Sequence, residues 1–325
     1  MLYPLKFKPV FKDYIWGGRN LEKLNKKLPL GNVAESWEIS CHKDGMSIIE
    51  NGVLVGKTLE EVVKEYGEKI LGTYVSEKYK GNFTLLVKFI DANKDLSVQV
   101  HPDDEYARLY ENGENGKNEM WYVVSCRPGA KIVYGLKENV TKDEFIHSIS
   151  ENRIEECLNY VNVSPGDAYY IPAGTIHAIG EGILIAEIQQ SSNLTYRVYD
   201  YERVDKDGNK RDLHIARALQ VINFNKKVKL ENKEEMLYIG EKSTKTSKIN
   251  CEYFNVDFYD ISEEICEITD ECTFEIYVVI EGSGKIYYGE EVLEIGMGDS
   301  VLISAGLGEF RFDGKLKMLK IYVNN

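Results

Sequence analysis

Hydrophobic and polar positions alternate over short spans through most of this chain, and only a few segments carry a helical period. Thr58 precedes Leu-Glu-Glu-Val-Val-Lys-Glu-Tyr-Gly-Glu-Lys-Ile. Glu61 stands at the spacing of a capping box, and Leu59, Val62, Val63, Tyr66 and Ile70 share one face, which predicts a helix from Leu59 to Ile70. A short helix is predicted over Asp103–Tyr110, behind Pro102. Thr141 with Glu144 opens a third helical region that runs to about Leu158, with a break near Ser150–Asn152, and Asp212 is positioned to cap a fourth beginning at Leu213. The remainder reads as short strands between Gly, Asn and Asp turns, the pattern of a β-sandwich or jelly roll.

A repeat organises these strands. Gly166-Asp-Ala-Tyr-Tyr-Ile-Pro-Ala-Gly174 matches Gly298-Asp-Ser-Val-Leu-Ile-Ser-Ala-Gly306 at identical spacing. Upstream, Tyr122-Val-Val, Lys131 and Tyr134-Gly135 are echoed by Tyr277-Val-Val, Lys285 and Tyr288-Gly289, with one residue of slippage. Two echoes in the same order point to two related β-units. The lysine-rich stretch 225–248 is the natural junction, which divides the chain into residues 1–230, carrying the helical insertions, and residues 231–325.

Composition narrows the function. The length of 325 residues suits two domains, and 40 Lys and Arg against 53 Asp and Glu leave a formal charge of −13. That balance argues against nucleic acid or an anionic membrane as partner, since both select a basic face. No run of 18 apolar residues exists, and the N-terminus mixes Lys into its apolar positions and lacks a signal-peptide pattern, so a cytoplasmic protein is expected. Six scattered cysteines without a C-x-x-C pair read as structural thiols of a reducing compartment. A monomer or weak homodimer is expected.

The chemistry concentrates in three segments. If Leu96–His101 is a strand, Leu96, Val98 and Val100 face one way and Ser97, Gln99 and His101 the other. Lys117, Glu119, Trp121 and Val123 share a face of the next strand. Gly166, Pro172, Gly174 and His177 then follow the spacing of a sharp turn that delivers an imidazole. Gln99, His101, Glu119 and His177 together offer an amide oxygen, a carboxylate and two imidazoles, a donor set suited to zinc or another first-row metal. The other histidines, His42, His147 and His214, lack such a context and read as surface or packing residues.

These spacings resemble the cupin metal-site pattern, and the resemblance then narrows. Leu-Ser-Val-Gln-Val-His-Pro-Asp at 96–103, Lys117-x-Glu119, Tyr14-Ile-Trp16-Gly-Gly and Thr195-Tyr-Arg197-Val-Tyr-Asp are similar to motifs of the type I mannose-6-phosphate isomerases in their shorter bacterial form. The resemblance implies cupin-type jelly-roll barrels, two of them related by the internal repeat, with a few inserted helices. It also implies a zinc-dependent isomerase of mannose 6-phosphate and fructose 6-phosphate that works through an enediol. The implied ligands are Gln99, His101, Glu119 and His177, with Gln99 the least firm. Arg197 matches the family's active-site arginine, Glu187 a carboxylate discussed as proton-transfer base, and Lys88, Ser97 and Lys117 the surroundings of the substrate phosphate, with Lys117 also near the chemistry. Asn193 departs from the family, many of whose members carry Asp there.

Two alternatives stand beside this reading: another metal-dependent cupin such as a dioxygenase, and a non-catalytic cupin that binds sugar phosphates. Lys88, Lys117 and Arg197 around the metal favour the isomerase. Aligning the repeat puts Glu309 in the place of His177 and Phe274 in that of Glu119, and no histidine follows His214. One zinc per chain is therefore expected.

Overall fold

The computed structural model describes residues 2–204, 207–225 and 235–323, so the proposed junction at 230–231 lies outside the described residues. The chain is mainly β, and its strands form three sheets. Six strands make the first, in spatial order Ala168–Ile171, Glu119–Cys126, Ile183–Gln190, Leu85–Ala92, Glu35–Ser40 and Val10–Lys12. Five make the second: Tyr196–Tyr199, Val98–Val100, His177–Ile179, Lys131–Leu136 and Leu158–Asn162. The first sheet contributes Ile90, Trp121, Val123 and Ile185 to a core that it shares with Ile132, Tyr134 and Ile179 of the second, the sandwich arrangement of a cupin jelly roll.

The first sheet is buried on both faces. Val87, Phe89, Tyr122 and Ile188 point away from the shared core and pack against Val256, Ile276, Leu319 and Ile321 of the third, ten-stranded sheet. Every residue of Leu85–Ala92 and Ile183–Gln190 is consequently buried, which is why both strands read as nearly continuous apolar runs. Two of the charges that interrupt those runs, Lys88 and Glu187, lie directly opposite each other across the ladder. The third sheet draws most of its strands from residues 236–322 and encloses its own core of Tyr277, Val279, Phe310, Phe312 and Met318. It also captures the N-terminal strand Leu5–Lys8, which pairs with Ser300–Ile303 on one side and Ile48–Ile49 on the other.

The helices follow their caps with two exceptions. Thr58 and Glu61 form the reciprocal capping box, as do Thr141 and Glu144, and Asp103 caps Asp104–Tyr110. The first helix, however, stops at Tyr66. Gly67 takes φ 52°, a positive φ that favours glycine, and ends the helix before Glu68–Leu71 begins another turn. Asp212 caps nothing: the helix Ile215–Val221 starts after His214, and the backbone carbonyl of Asp212 instead accepts from Arg197 Nη1. All six cysteines are free thiols, and no helix among the described residues is long and apolar enough to cross a membrane.

Strand register corrects the alignment of the repeat. Glu119 lies opposite Ile171 and Gln189, and Glu275 lies opposite Ile303 and Tyr322. Ile171 and Ile303 hold the same place in the repeated nonapeptide, so Glu275, not Phe274, is the counterpart of Glu119. By the same ladder Tyr277 replaces Trp121, and Lys320 stands where Glu187 does. Glu309 is exposed, and the inward position beside it is filled by Phe310.

The second unit thus places an ammonium in its polar centre. Lys320 Nζ is 2.8 Å from Glu275 and 3.0 Å from Glu267. Burial alone would lower the Lys320 pKa, but the two carboxylates outweigh it and raise it. Replacing Lys320 by Met leaves Glu275 buried without its cation, and the expected loss is about 3–5 kcal/mol of unfolding free energy, read from denaturant midpoints. A loss below about 1 kcal/mol would mean the carboxylates find other partners.

Candidate active site

His101, Glu119 and His177 converge from two sheets on one buried point, with potential ligand atoms within 4.8 Å of one another. Among the described residues no other group of three or more His, Cys, Asp or Glu does so. His177 is delivered by the Pro172–Gly174 turn. Gly174 takes φ +82° and donates its N–H to the His101 carbonyl at 2.9 Å, tying the turn to the strand end that carries the other imidazole. A Cβ at Gly174 would meet the Val221 carbonyl at 2.9 Å, so the position is closed to side chains on two counts. Asn118 clamps the same turn, its Oδ1 accepting from Ala173 N–H at 3.0 Å and the Tyr170 hydroxyl at 3.2 Å.

Protonation follows from the hydrogen bonds. His177 Nδ1 lies 2.9 Å from the Thr175 carbonyl and must donate to it, which leaves a lone pair on Nε2. That lone pair faces Glu119 Oε1 at 3.2 Å, and Oε1, fully buried, has no hydrogen-bond partner. Two electron-pair donors held against each other in a dry interior call for a cation, and the residues present fit a divalent metal. Gln99 stands 3.3 Å from the same Nε2, and rotating its amide would bring the oxygen to the same point. Lys117 Nζ borders the group, 2.8 Å from Glu119 Oε2 and 3.1 Å from His101 Nε2. Burial and the Lys117 charge push His101 down to about 3, and burial lowers His177, so both rings are neutral donors at pH 7. Burial would raise Glu119, but Lys117 and the imidazoles hold it well below the usual carboxylate range.

Above this cluster opens a polar cavity of about 280 Å³. Lys88, Ser97, Gln99, Lys117, Glu187 and Arg197, all singled out in the sequence, line it. Lys88 Nζ sits 2.7 Å from Glu187 and 3.5 Å from Glu35, and Glu187 also accepts from Trp121 Nε1 at 2.8 Å. Burial and the charge of Glu119 raise the Glu187 carboxyl despite Lys88, whereas Lys88 is raised because Glu187 and Glu35 outweigh its burial. Arg197 donates from Nε to Ser97 Oγ at 3.3 Å. His214, read from sequence as a packing residue, accepts from the Arg197 backbone N–H at 3.2 Å and so braces that arginine.

Two details differ from the expected pattern. The ladder begins only at Val98, and Leu96 therefore turns into the cavity instead of joining the outer face with Val98 and Val100. Glu35 and Arg211 line the cavity and were not foreseen. Glu35 carried the same signal as Lys88, a charge inside the buried strand Glu35–Ser40. Arg211 carried none, because it lies in a polar stretch where any Arg would pass as solvated.

A two-sheet jelly roll with a buried His-Glu-His cluster beneath a polar cavity defines a cupin with a candidate metal centre. Residues 4–126 match the family model for phosphomannose isomerase type I, catalytic domain, and residues 243–323 that for mannose-6-phosphate isomerase, cupin domain. The chain is 40% identical over 316 residues to the mannose-6-phosphate isomerase ManA of Bacillus subtilis, covering 96% of each protein. It is 36% identical to the mannose-6-phosphate isomerase of Streptococcus mutans over 100% of this chain and 99% of that one. The solved mannose 6-phosphate isomerase of Bacillus subtilis superposes with a TM-score of 0.90 at 35% identity, covering 98% of this chain and 99% of its own. The chain belongs to the type I mannose-6-phosphate isomerases, a family of metal-dependent enzymes.

Proposed function

We propose that the enzyme interconverts mannose 6-phosphate and fructose 6-phosphate with one zinc ion per chain, held by His101, Glu119 and His177 with Gln99 as fourth ligand. The observation that carries this reading is a buried cluster of facing lone pairs, the one such group among the described residues, beneath a cavity that presents two carboxylates, two lysines and two arginines. Two neutral imidazoles, a carboxylate and an amide suit zinc among the first-row metals. When bound, the metal supplies Lewis-acid stabilisation to sugar oxygens on which charge develops.

The chain's own groups account for the remaining chemistry. Glu187 is the base that removes the proton at C2 of the aldose and returns it to C1, while a proton passes from O2 to O1 through the enediol. Lys88, paired with Glu187, holds that carboxylate in place. Lys117 lines the cavity next to Glu119 and offers its remaining N–H to a substrate oxygen. Arg197 remains cationic through the cycle and stabilises the enediolate. The resemblance suggested Lys88 and Lys117 as phosphate ligands. Their engagement with buried carboxylates argues instead for roles at the reacting carbons, and Ser97 alone of the three stays with the phosphate. Six free thiols support a cytoplasmic setting.

A coupled assay for fructose 6-phosphate formed from mannose 6-phosphate tests the proposal. Turnover should vanish on chelation and return with zinc. Zinc-loaded protein that does not turn over would refute it.

A further inference from the structure

Charge is sorted along the cavity. Its floor sets two lysines, Lys88 and Lys117, against three buried carboxylates, Glu35, Glu119 and Glu187. The half-exposed lining is different: its charged groups are Arg197 and Arg211, with Asp200 paired to Arg211 and Arg203. An anionic floor suits a bound cation, and a cationic rim suits an anion.

Arg211 is held with care. Asp200, 6% exposed, accepts from Arg211 Nε at 2.8 Å and also from Arg211 Nη2, while Arg203 bonds the same carboxylate. This double contact fixes the plane of the Arg211 guanidinium, which lines the cavity and, among the described residues, keeps N–H groups on Nη1 and Nη2 uncommitted. Arg197 is fixed likewise, by Ser97 Oγ and the Asp212 carbonyl, with N–H groups to spare. Burial and the Arg211 charge both lower the Arg197 pKa, so the two guanidiniums repel each other across the cavity rim. Like charges fixed in this way by separate anchors are arranged for a shared anion.

We propose that Arg211 is a phosphate-binding residue that grips the substrate's dianionic group together with Ser97, while Arg197 serves the enediolate end of the same substrate, and that Asp200 is the positioning residue that aims Arg211. The inference rests on the sugar-phosphate reading above. It gives the substrate one orientation, with the phosphate at the arginine rim and C1 and C2 over Glu187 and the His-Glu-His floor.

Steady-state kinetics on the intact chain separate the outcomes. Arg211→Gln should raise KM for mannose 6-phosphate about 10–100-fold with kcat within about twofold, and should weaken competitive inhibition by inorganic phosphate to a similar degree. Arg211→Lys, which keeps the charge but not the fork, should fall between the two, and it serves as the test if the glutamine variant does not fold. Asp200→Asn should raise KM with kcat unchanged, which a purely structural role would not do. Wild-type turnover combined with an unaltered KM in Arg211→Gln would overturn the inference, as would a fall in kcat at constant KM. Wild-type protein without turnover would instead overturn the isomerase reading.

Discussion

Glu119→Gln is expected to abolish both metal binding and turnover. The substitution keeps the side chain's shape, so the loss isolates its charge. Glu119 Oε1 faces His177 Nε2 and Oε2 faces His101 Nε2, each with a lone pair aimed at the shared point. A neutral amide there removes the only anion among the ligands. Outer-shell partners of a metal cost about 10–100-fold in affinity when removed, and a charged ligand must cost more. The measurements are metal per chain by elemental analysis and the coupled assay, with one metal expected in the wild type and less than about a tenth in the variant. Lys117 loses its buried carboxylate partner, so stability is expected to fall as well, and metal is counted on the folded fraction of the variant. A variant with full metal occupancy would move the centre elsewhere.

Glu187→Gln should leave metal content intact and lower kcat by about 10²–10⁴, the range of a positioned general base. Its pH dependence carries a sign. Burial and the Glu119 charge raise the Glu187 carboxyl above its ordinary value, and a base must be ionised to accept a proton. The wild-type kcat profile should therefore fall on the acidic side at a pH above that of a free glutamate. The variant should lose this limb, since its amide does not titrate. An unchanged acidic limb in Glu187→Gln would assign the base to another group.

What was legible in the sequence shares a physical character. Capping boxes at Thr58 and Thr141, the 96–103 segment and the turn before His177 are all local, their meaning set by residues within one or two turns of chain. Lys88 was visible because charge is costly inside a buried strand, and Glu187 through the family resemblance alone. Arg211 was silent because its role arises from Asp200 and Arg197, whose approach is a property of the folded chain. The Phe274 error has a sharper cause. Side chains alternate faces along a strand, so one residue of slippage in an alignment exchanges an inward position for an outward one. Only hydrogen-bond register could show that Glu275 occupies the place of Glu119. The helix cap expected at Asp212 is absent, and its backbone carbonyl accepts instead from an arginine 15 residues away.

The strand Leu5–Lys8 lies between Ile48–Ile49 and Ser300–Ile303, with Leu5 opposite Leu302. During synthesis it leaves the ribosome long before its partner Ser300–Ile303. Loop-closure entropy grows only logarithmically with separation, so this pairing is affordable at equilibrium, but such distant contacts form slowly. A nascent chain that has completed its first jelly roll must still carry an open strand edge. Until Ser300–Ile303 has been made, the edge of Leu5–Lys8 waits for its mate.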